Sequence, residues 1–288
     1  MAGTPQSEFF RAKKRLGQNF LVDRGILTEI VERAQVSPDD TILEVGPGTG
    51  VLTRELLLKK CSRLFAVEMD LRLKDTLESL SAEFGSQLSL VWGDAVRIDY
   101  DGLFPFPNKA VANIPYNITT PLIWRLLAFA PRGLNYHLYM VQKEAADRLT
   151  AKRDTKERYP LGVALEVMGE VKLVRKVPPA CFRPIPRVES ALVEIRLTRG
   201  LYLMEDSRWS SLLHAGFRQR RKTLVNNLKD GGLEIFAGGD AGAWASLLER
   251  LGIDPKARAE DLSGEEWLAL HDACPPRLER LRQPQGEG

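Results

Sequence analysis

Asn113-Ile114-Pro115-Tyr116 combines residues suited to holding an exocyclic amine on an aromatic base. The asparagine amide oxygen and a proline-fixed carbonyl can accept hydrogen bonds from such an amine, and the tyrosine ring offers a face for the base. The tetrapeptide follows the apolar run Ala110-Val111-Ala112, as a loop at the carboxyl end of a strand would. An amine held here could attack an electrophilic methyl group in line, and the barrier falls if its lone pair is freed from the ring. Acceptors at Asn113 Oδ1 and the Ile114 or Pro115 carbonyl favour that pyramidal nitrogen by positioning and electrostatics. The proton can leave after transfer, so the chemistry asks for no metal and no strong base. Standing alone, the segment would read as a proline turn with an asparagine cap.

It does not stand alone. Glu44-Val45-Gly46-Pro47-Gly48-Thr49-Gly50 follows a strand-like run and precedes a helix-like one. Its glycines let the backbone turn tightly and a ligand approach with no Cβ in the way. A dinucleotide site needs GxGxxG; here the third glycine comes one place early, and Glu44 precedes the turn. A carboxylate there would repel a pyrophosphate but suits the ammonium of S-adenosylmethionine; the plain alternative is a tight strand-to-helix turn. Glu68 ends the next strand, 18 residues past Gly50, near the ~20-residue offset of a ribose-binding acid. Asp70 is the alternative, but Glu68 directly follows the strand run Leu64–Val67. At the third strand end, in Gly93-Asp94-Ala95, Asp94 could accept from the cofactor's adenine amine. A doubly wound sheet gathers these ends around one crevice, and with Asn113–Tyr116 they suggest methylation of a nucleic-acid base.

Phe182-Arg183-Pro184-Ile185-Pro186 supplies a second aromatic in a proline-stiffened frame. A flipped-out adenine sandwiched between Tyr116 and Phe182 would fit such chemistry; otherwise Phe182 packs under the loop. Net charge is only +3, so nucleic-acid contacts must come from local clusters. Arg218, Arg220, Arg221 and Lys222 form one, Lys13, Lys14 and Arg15 another, and Lys152, Arg153, Lys156 and Arg158 a basic loop. Charge runs are commonly solvated faces, but beside a base-modifying site they become candidates for phosphate contacts.

The positioning elements follow from periodicity. Strand-like runs at Thr41–Val45, Arg63–Val67, Leu88–Trp92, Lys109–Ala112 and Tyr136–Val141 alternate with helical ones at Val51–Lys60, Leu71–Phe84 and Pro121–Ala130. This predicts an α/β fold with a parallel sheet covered on both faces. Val171–Val177 and Ser190–Leu197, joined by a proline-rich loop, predict an antiparallel edge pair. Beyond Gly200, Trp209–Leu228, Trp244–Leu251 and Glu265–His271 read as helices. Residues 1–200 are therefore assigned to a cofactor-binding domain, with 1–22 as a basic lead-in, and 201–288 to a small helical domain. The tail from Gln283 reads as disordered.

The 288 residues suffice for a full core. Cys61, Cys181 and Cys274 form no CxxC pair, and His137, His214 and His271 are scattered, so neither disulfides nor a metal site is indicated. No apolar run approaches the ~20 residues needed to span a bilayer, and Met1–Phe10 lacks a signal-peptide core. A cytoplasmic monomer is expected.

Taken in order, these residues resemble the rRNA adenine N6-dimethyltransferase family. The likeness runs from Leu16-Gly17-Gln18-Asn19-Phe20-Leu21 through the glycine turn, Glu68, Asp94, Asn113–Tyr116, Gln142-Lys143-Glu144 and Phe182–Ser190 to Phe217–Leu224, nearly the whole chain. It implies a Rossmann-like class I S-adenosylmethionine-dependent methyltransferase domain followed by a helical domain that contacts rRNA. Gln18 and Asn19 would line the methionine end of the cofactor, with Leu21 nearby and Gly46 and Gly48 beneath. Glu68 would bind ribose and Asp94 the adenine amine, and Asn113 would face both cofactor and substrate. The implied reaction is dimethylation of two adjacent adenosines in the 3′-terminal hairpin loop of 16S rRNA, on the immature small ribosomal subunit, with a role in its biogenesis. One departure is Tyr159-Pro160-Leu161-Gly162, where a Tyr-Gly pair is expected; proline there stiffens the start of the next helix.

Overall fold

Five apolar runs form the parallel body of the sheet. The computed structural model describes residues 18–230 and 241–274; the cluster Lys13, Lys14 and Arg15 and the tail from Gln283 lie outside them. β2 (Thr41–Val45) is buried along its length and lies between β3 (Arg63–Glu68) and β5 (Lys109–Asn113), parallel to both. β4 (Leu88–Trp92) continues parallel beyond β3, and β6 (Tyr136–Gln142) beyond β5. The chain leaves β2 first toward one side and then returns to the other, which opens a crevice at the carboxyl ends of β2 and β5. Helices α2 (Val51–Leu58), α3 (Lys74–Phe84) and α4 (Thr119–Leu127) supply three of the four crossovers, the connection from β4 to β5 having no helix, and α5 (Lys143–Leu149) follows β6.

The antiparallel pair differs from expectation in one respect. β9 (Ser190–Leu197) inserts between β6 and β7 (Gly169–Val177), so only β7 is an edge, and a bulge between Leu173 and Arg175 interrupts its register. A separate two-stranded ladder joins β1 (Phe20–Leu21) to β8 (Phe182–Arg183), with Leu21 opposite Phe182. Asp23 caps α1 (Arg24–Arg33), its carboxylate accepting from Ile26 N at 2.9 Å. The helix then buries Ile26, Leu27, Ile30 and Val31 in a core shared with Ile42, Leu56, Val111, Met140 and Phe182.

The chain separates into two compact units, residues 1–150 with 168–201, and residues 151–167 with 202–288. The boundary that the sequence suggests at Gly200 places 151–167 in the first domain, whereas they group with the later helices. Arg158, read as part of a basic loop, is buried within the second unit. It pairs with Glu166 and donates to the carbonyls of Ala151 at 3.0 Å and Leu262 at 3.1 Å. Glu166 also accepts from Gly264 N at 2.9 Å. This guanidinium ties residues 151–167 to the later helices through contacts that no local pattern encodes. Pro160 opens α6 (Pro160–Met168), a position that needs no N–H donor.

The expected helix Trp209–Leu228 is instead two, α7 (Ser207–Gly216) and α8 (Leu224–Asp230). The break has a specific cause. The buried Asn227 amide donates to Gly216 O at 2.7 Å and Gln219 O at 3.0 Å, and its oxygen accepts from Gln219 N at 3.1 Å. One side chain thus satisfies a non-helical turn over 217–223. Two further helices, α9 (Ala241–Arg250) and α10 (Gly264–Ala273), pack with buried Trp209, Trp244 and Trp267 in this unit.

Candidate active site

At the crevice lies a cavity of about 190 Å³, lined from the ends of β2, β3, β4 and β5 and by Gln18, Asn19 and Phe20. The glycine turn forms one wall. Gly46 and Gly48 both have positive φ, 72° and 58°, which side chains disfavour. A Cβ on Gly48 would stand 2.8 Å from the Phe20 ring, and one on Gly46 would stand 3.2 Å from Pro115 Cδ. The cofactor turn and the Asn113 loop are therefore in direct contact.

Glu68 lines the cavity and Asp70 does not. Three backbone donors orient Glu68: Gly48 N to Oε2 at 3.3 Å, and Met69 N and Asp70 N to Oε1 at 2.9 and 2.8 Å. Burial still raises its pKa above the ordinary carboxylate value. Asp70 is held down to about 2 by Arg72 and accepts from Gln18 Nε2 at 3.0 Å, fixing that side chain in the wall. Asp94, just past the end of β4 and next to the Glu68 strand, also lines the cavity, its Oδ1 accepting from Val96 N at 2.9 Å.

The Asn113 loop is fastened at both ends. Ile114 N donates to Met140 O at 3.1 Å, and Ile118 N to Pro115 O at 3.1 Å. The second bond engages the Pro115 carbonyl in closing the turn, so of the two backbone acceptors Ile114 is the freer. Asn113 Nδ2 donates to Asn19 O at 2.8 Å, which leaves Oδ1 buried with no hydrogen-bond partner among the described residues. A buried amide oxygen without a donor is uncommon, and its natural complement is a ligand N–H. Tyr116 lines the same cavity, and its hydroxyl lies 2.6 Å from Ser190 Oγ. Burial raises the phenol pKa above its ordinary value. Ser190 is fully buried at the start of β9.

Three expected residues are not in the wall. Phe182 has 0% exposure and belongs to the hydrophobic core; paired through β8 to β1, it has no open face for a base. Leu21 packs against the same core instead of the cavity. Glu44 is 1% exposed, behind the turn, and Oε2 has no partner among the described residues. Burial pushes its pKa up to about 8, so it is mostly protonated at neutral pH and offers little charge to an ammonium. Conversely, Phe20, Met69, Asn117 and Ile118 line the cavity unanticipated. Phe20 had a signal, an aromatic beside Gln18 and Asn19; the others follow from turns after strand ends.

In the second unit, the residues of the Arg218–Lys222 cluster are unequal. Arg218 donates to Asp230 O, Arg220 pairs with Glu260 at 2.8 Å, and Lys222 pairs with Asp230 at 2.8 Å. Arg221 is exposed and has no partner among the described residues. No cluster of histidine, cysteine and carboxylate side chains able to hold a metal occurs among the described residues.

The cavity suits S-adenosylmethionine on its own chemistry: a glycine turn without side chains, an oriented carboxylate, a second strand-end acid, and an unsatisfied amide oxygen beside an aromatic ring. Residues 9–274 match the family model described as ribosomal RNA adenine dimethylase. The chain is 40% identical over 277 residues to the ribosomal RNA small subunit methyltransferase A of Acaryochloris marina, covering 92% of this chain and 98% of that protein. Among solved structures it is similar to a dimethyladenosine transferase from Plasmodium falciparum, with TM-score 0.73, 27% identity, and coverage of 87% and 95% of the two chains. It is also similar to the 23S rRNA methyltransferase ErmE, with TM-score 0.62, 26% identity, and coverage of 89% and 99%.

Proposed function

This chain belongs to the ribosomal RNA adenine dimethylase family, and from that premise we propose that it dimethylates N6 of two adjacent adenosines in the 3′-terminal hairpin loop of 16S rRNA. The observation that carries the reading is the buried, partnerless Asn113 Oδ1 beside the Tyr116 ring. The choice of small-subunit RNA is supported by the 40% identity to a small subunit methyltransferase, against 26% to the 23S enzyme.

S-adenosylmethionine, when bound, supplies an electrophilic methyl on its sulfonium. Gln18, Asn19, Gly46, Gly48, Glu68 and Asp94 would hold it, Glu68 by ribose hydroxyls and Asp94 by the adenine amine. Asn113 Oδ1 accepts one N–H of the target amine and the Ile114 carbonyl the other, favouring a pyramidal nitrogen whose lone pair is freed from conjugation with the ring. Tyr116 stacks on the base and fixes its distance. After one transfer a single N–H remains, so one acceptor suffices to orient the second attack. The basic residues of the second unit, Arg221 foremost, contact rRNA phosphates, and Lys13, Lys14 and Arg15 are assigned the same role.

We place the protein in the cytoplasm as a monomer acting on the immature small subunit, where it also serves assembly. Among the described residues no helix is long and apolar enough to cross a membrane. The test is transfer of labelled methyl to under-methylated small subunits, followed by nucleoside mass analysis. N6,N6-dimethyladenosine in 16S rRNA is expected. Label in 23S rRNA instead, or no label with cofactor bound, would refute the assignment.

A further inference from the structure

Residues 183–188 form a braced loop with apolar side chains turned to solvent. Ile185 is 60% exposed and Val188 47% exposed, and Ile185 stands between two prolines that restrict the backbone. Both feet stand on segments of the cavity wall. At one end Arg183 pairs across the β1–β8 ladder with Phe20, which lines the cavity. At the other, Lys143 N donates to Glu189 O at 2.9 Å, and Ser190 Oγ meets the Tyr116 hydroxyl at 2.6 Å.

The charges on the loop are unequal in the same sense. Arg183 is curled onto the carbonyls of Ala180 and Phe182, at 3.0 and 2.8 Å. Arg187 is exposed and has no partner among the described residues, and Glu189 is an exposed acid. A stiff apolar knuckle beside an unpaired guanidinium, attached to the residue that holds the stacking tyrosine, suits bases and a phosphate next to an extruded nucleotide. Side chains of this type hold a base step open when a neighbour leaves the stack.

We propose that Ile185, with Val188, is the wedge that rests on the bases flanking the target adenosine, and that Arg187 contacts an adjoining phosphate. This rests on the proposed rRNA substrate and adds a surface to it. The wedge acts on the step that brings the base into the cavity, so it governs turnover; Arg187 governs binding.

The experiment uses the full chain and under-methylated small subunits. Ile185→Ala is expected to lower kcat about tenfold with KM for subunits within about threefold and cofactor affinity unchanged by calorimetry. Ile185→Leu, which keeps an apolar body, should restore most of the rate. Arg187→Ala should raise KM and reduce the salt slope of binding by about one phosphate. Unchanged kcat in Ile185→Ala, or equal loss in Ile185→Leu, overturns the wedge; an unchanged salt slope overturns the phosphate contact. A wild-type protein inactive on subunits would overturn the substrate reading itself, a result distinct from either.

Discussion

At residue scale the proposed reaction divides the work between Asn113 and Tyr116, and each leaves a separable signature. Asn113→Ala removes the acceptor proposed for the amine, together with the Nδ2 bond to Asn19 O, while the cavity keeps its glycine turn and both acids. We predict a fall in kcat of about 10² to 10³ with cofactor affinity changed by only a few-fold, read by calorimetry beside single-turnover transfer. A rate within twofold of wild type would exclude the amide as acceptor. The Tyr116 hydroxyl faces Ser190 at 2.6 Å, so it anchors the ring and is spent before any substrate arrives. Tyr116→Phe and Ser190→Ala should each slow transfer modestly, and the double variant no more than either alone, because both cut one bond. Additive losses would show that the hydroxyl does something else. The common place of Asn113 and Tyr116 in the cavity wall could be read from their types and order. Ser190 could not, since its partner lies 74 positions away and a serine opening a strand carries no local mark. Phe182 shows the same limit: its type suits stacking as well as packing, and the ladder with Leu21 turns it into the core.

Among elements, the parallel strands were the most legible, because strands buried on both faces read as short apolar runs between turns. The turn over 217–223 was the least, since its apolar spacing continues a helix and only the Asn227 amide contradicts it. Asn227→Ala should therefore cost about 1 to 3 kcal/mol, measured by denaturant unfolding, as three backbone groups lose their partner; a negligible change would reject the stitch. The same turn ranks its cations. Arg221 has no partner among the described residues to break before meeting a phosphate, whereas Arg220 and Lys222 must leave Glu260 and Asp230. Arg221→Ala is expected to lower the salt slope of subunit binding by about one, and Lys222→Ala by less. Equal slopes for the two variants would argue against this ranking. In sequence the cluster reads as uniform charge, because the opposing acids are remote.

At the scale of the whole molecule, Glu44 sets a pH dependence of stability. Its folded pKa of about 8 lies above the ordinary 4.5, so between those values the native state binds more protons than the unfolded one. Stability therefore falls as pH rises through that window, by at most about 1.4 kcal/mol per pH unit, and Glu44→Gln should flatten the decline. Melting curves from pH 5 to pH 9 that superimpose in slope would refute it. The second unit has its own keystone in Arg158: Arg158→Met leaves the Ala151 and Leu262 carbonyls without a donor. Faster hydrogen exchange across residues 259–273 is expected, with cofactor affinity unchanged. The ladder between Phe20 and Arg183 carries a consequence for biosynthesis. At roughly 5 to 20 residues per second, the strand that pairs with Phe20 and Leu21 leaves the peptidyl-transferase centre some 8 to 30 s after they do. A nascent chain thus holds every residue that lines the cavity well before the strand that pins Phe20 beside the glycine turn exists.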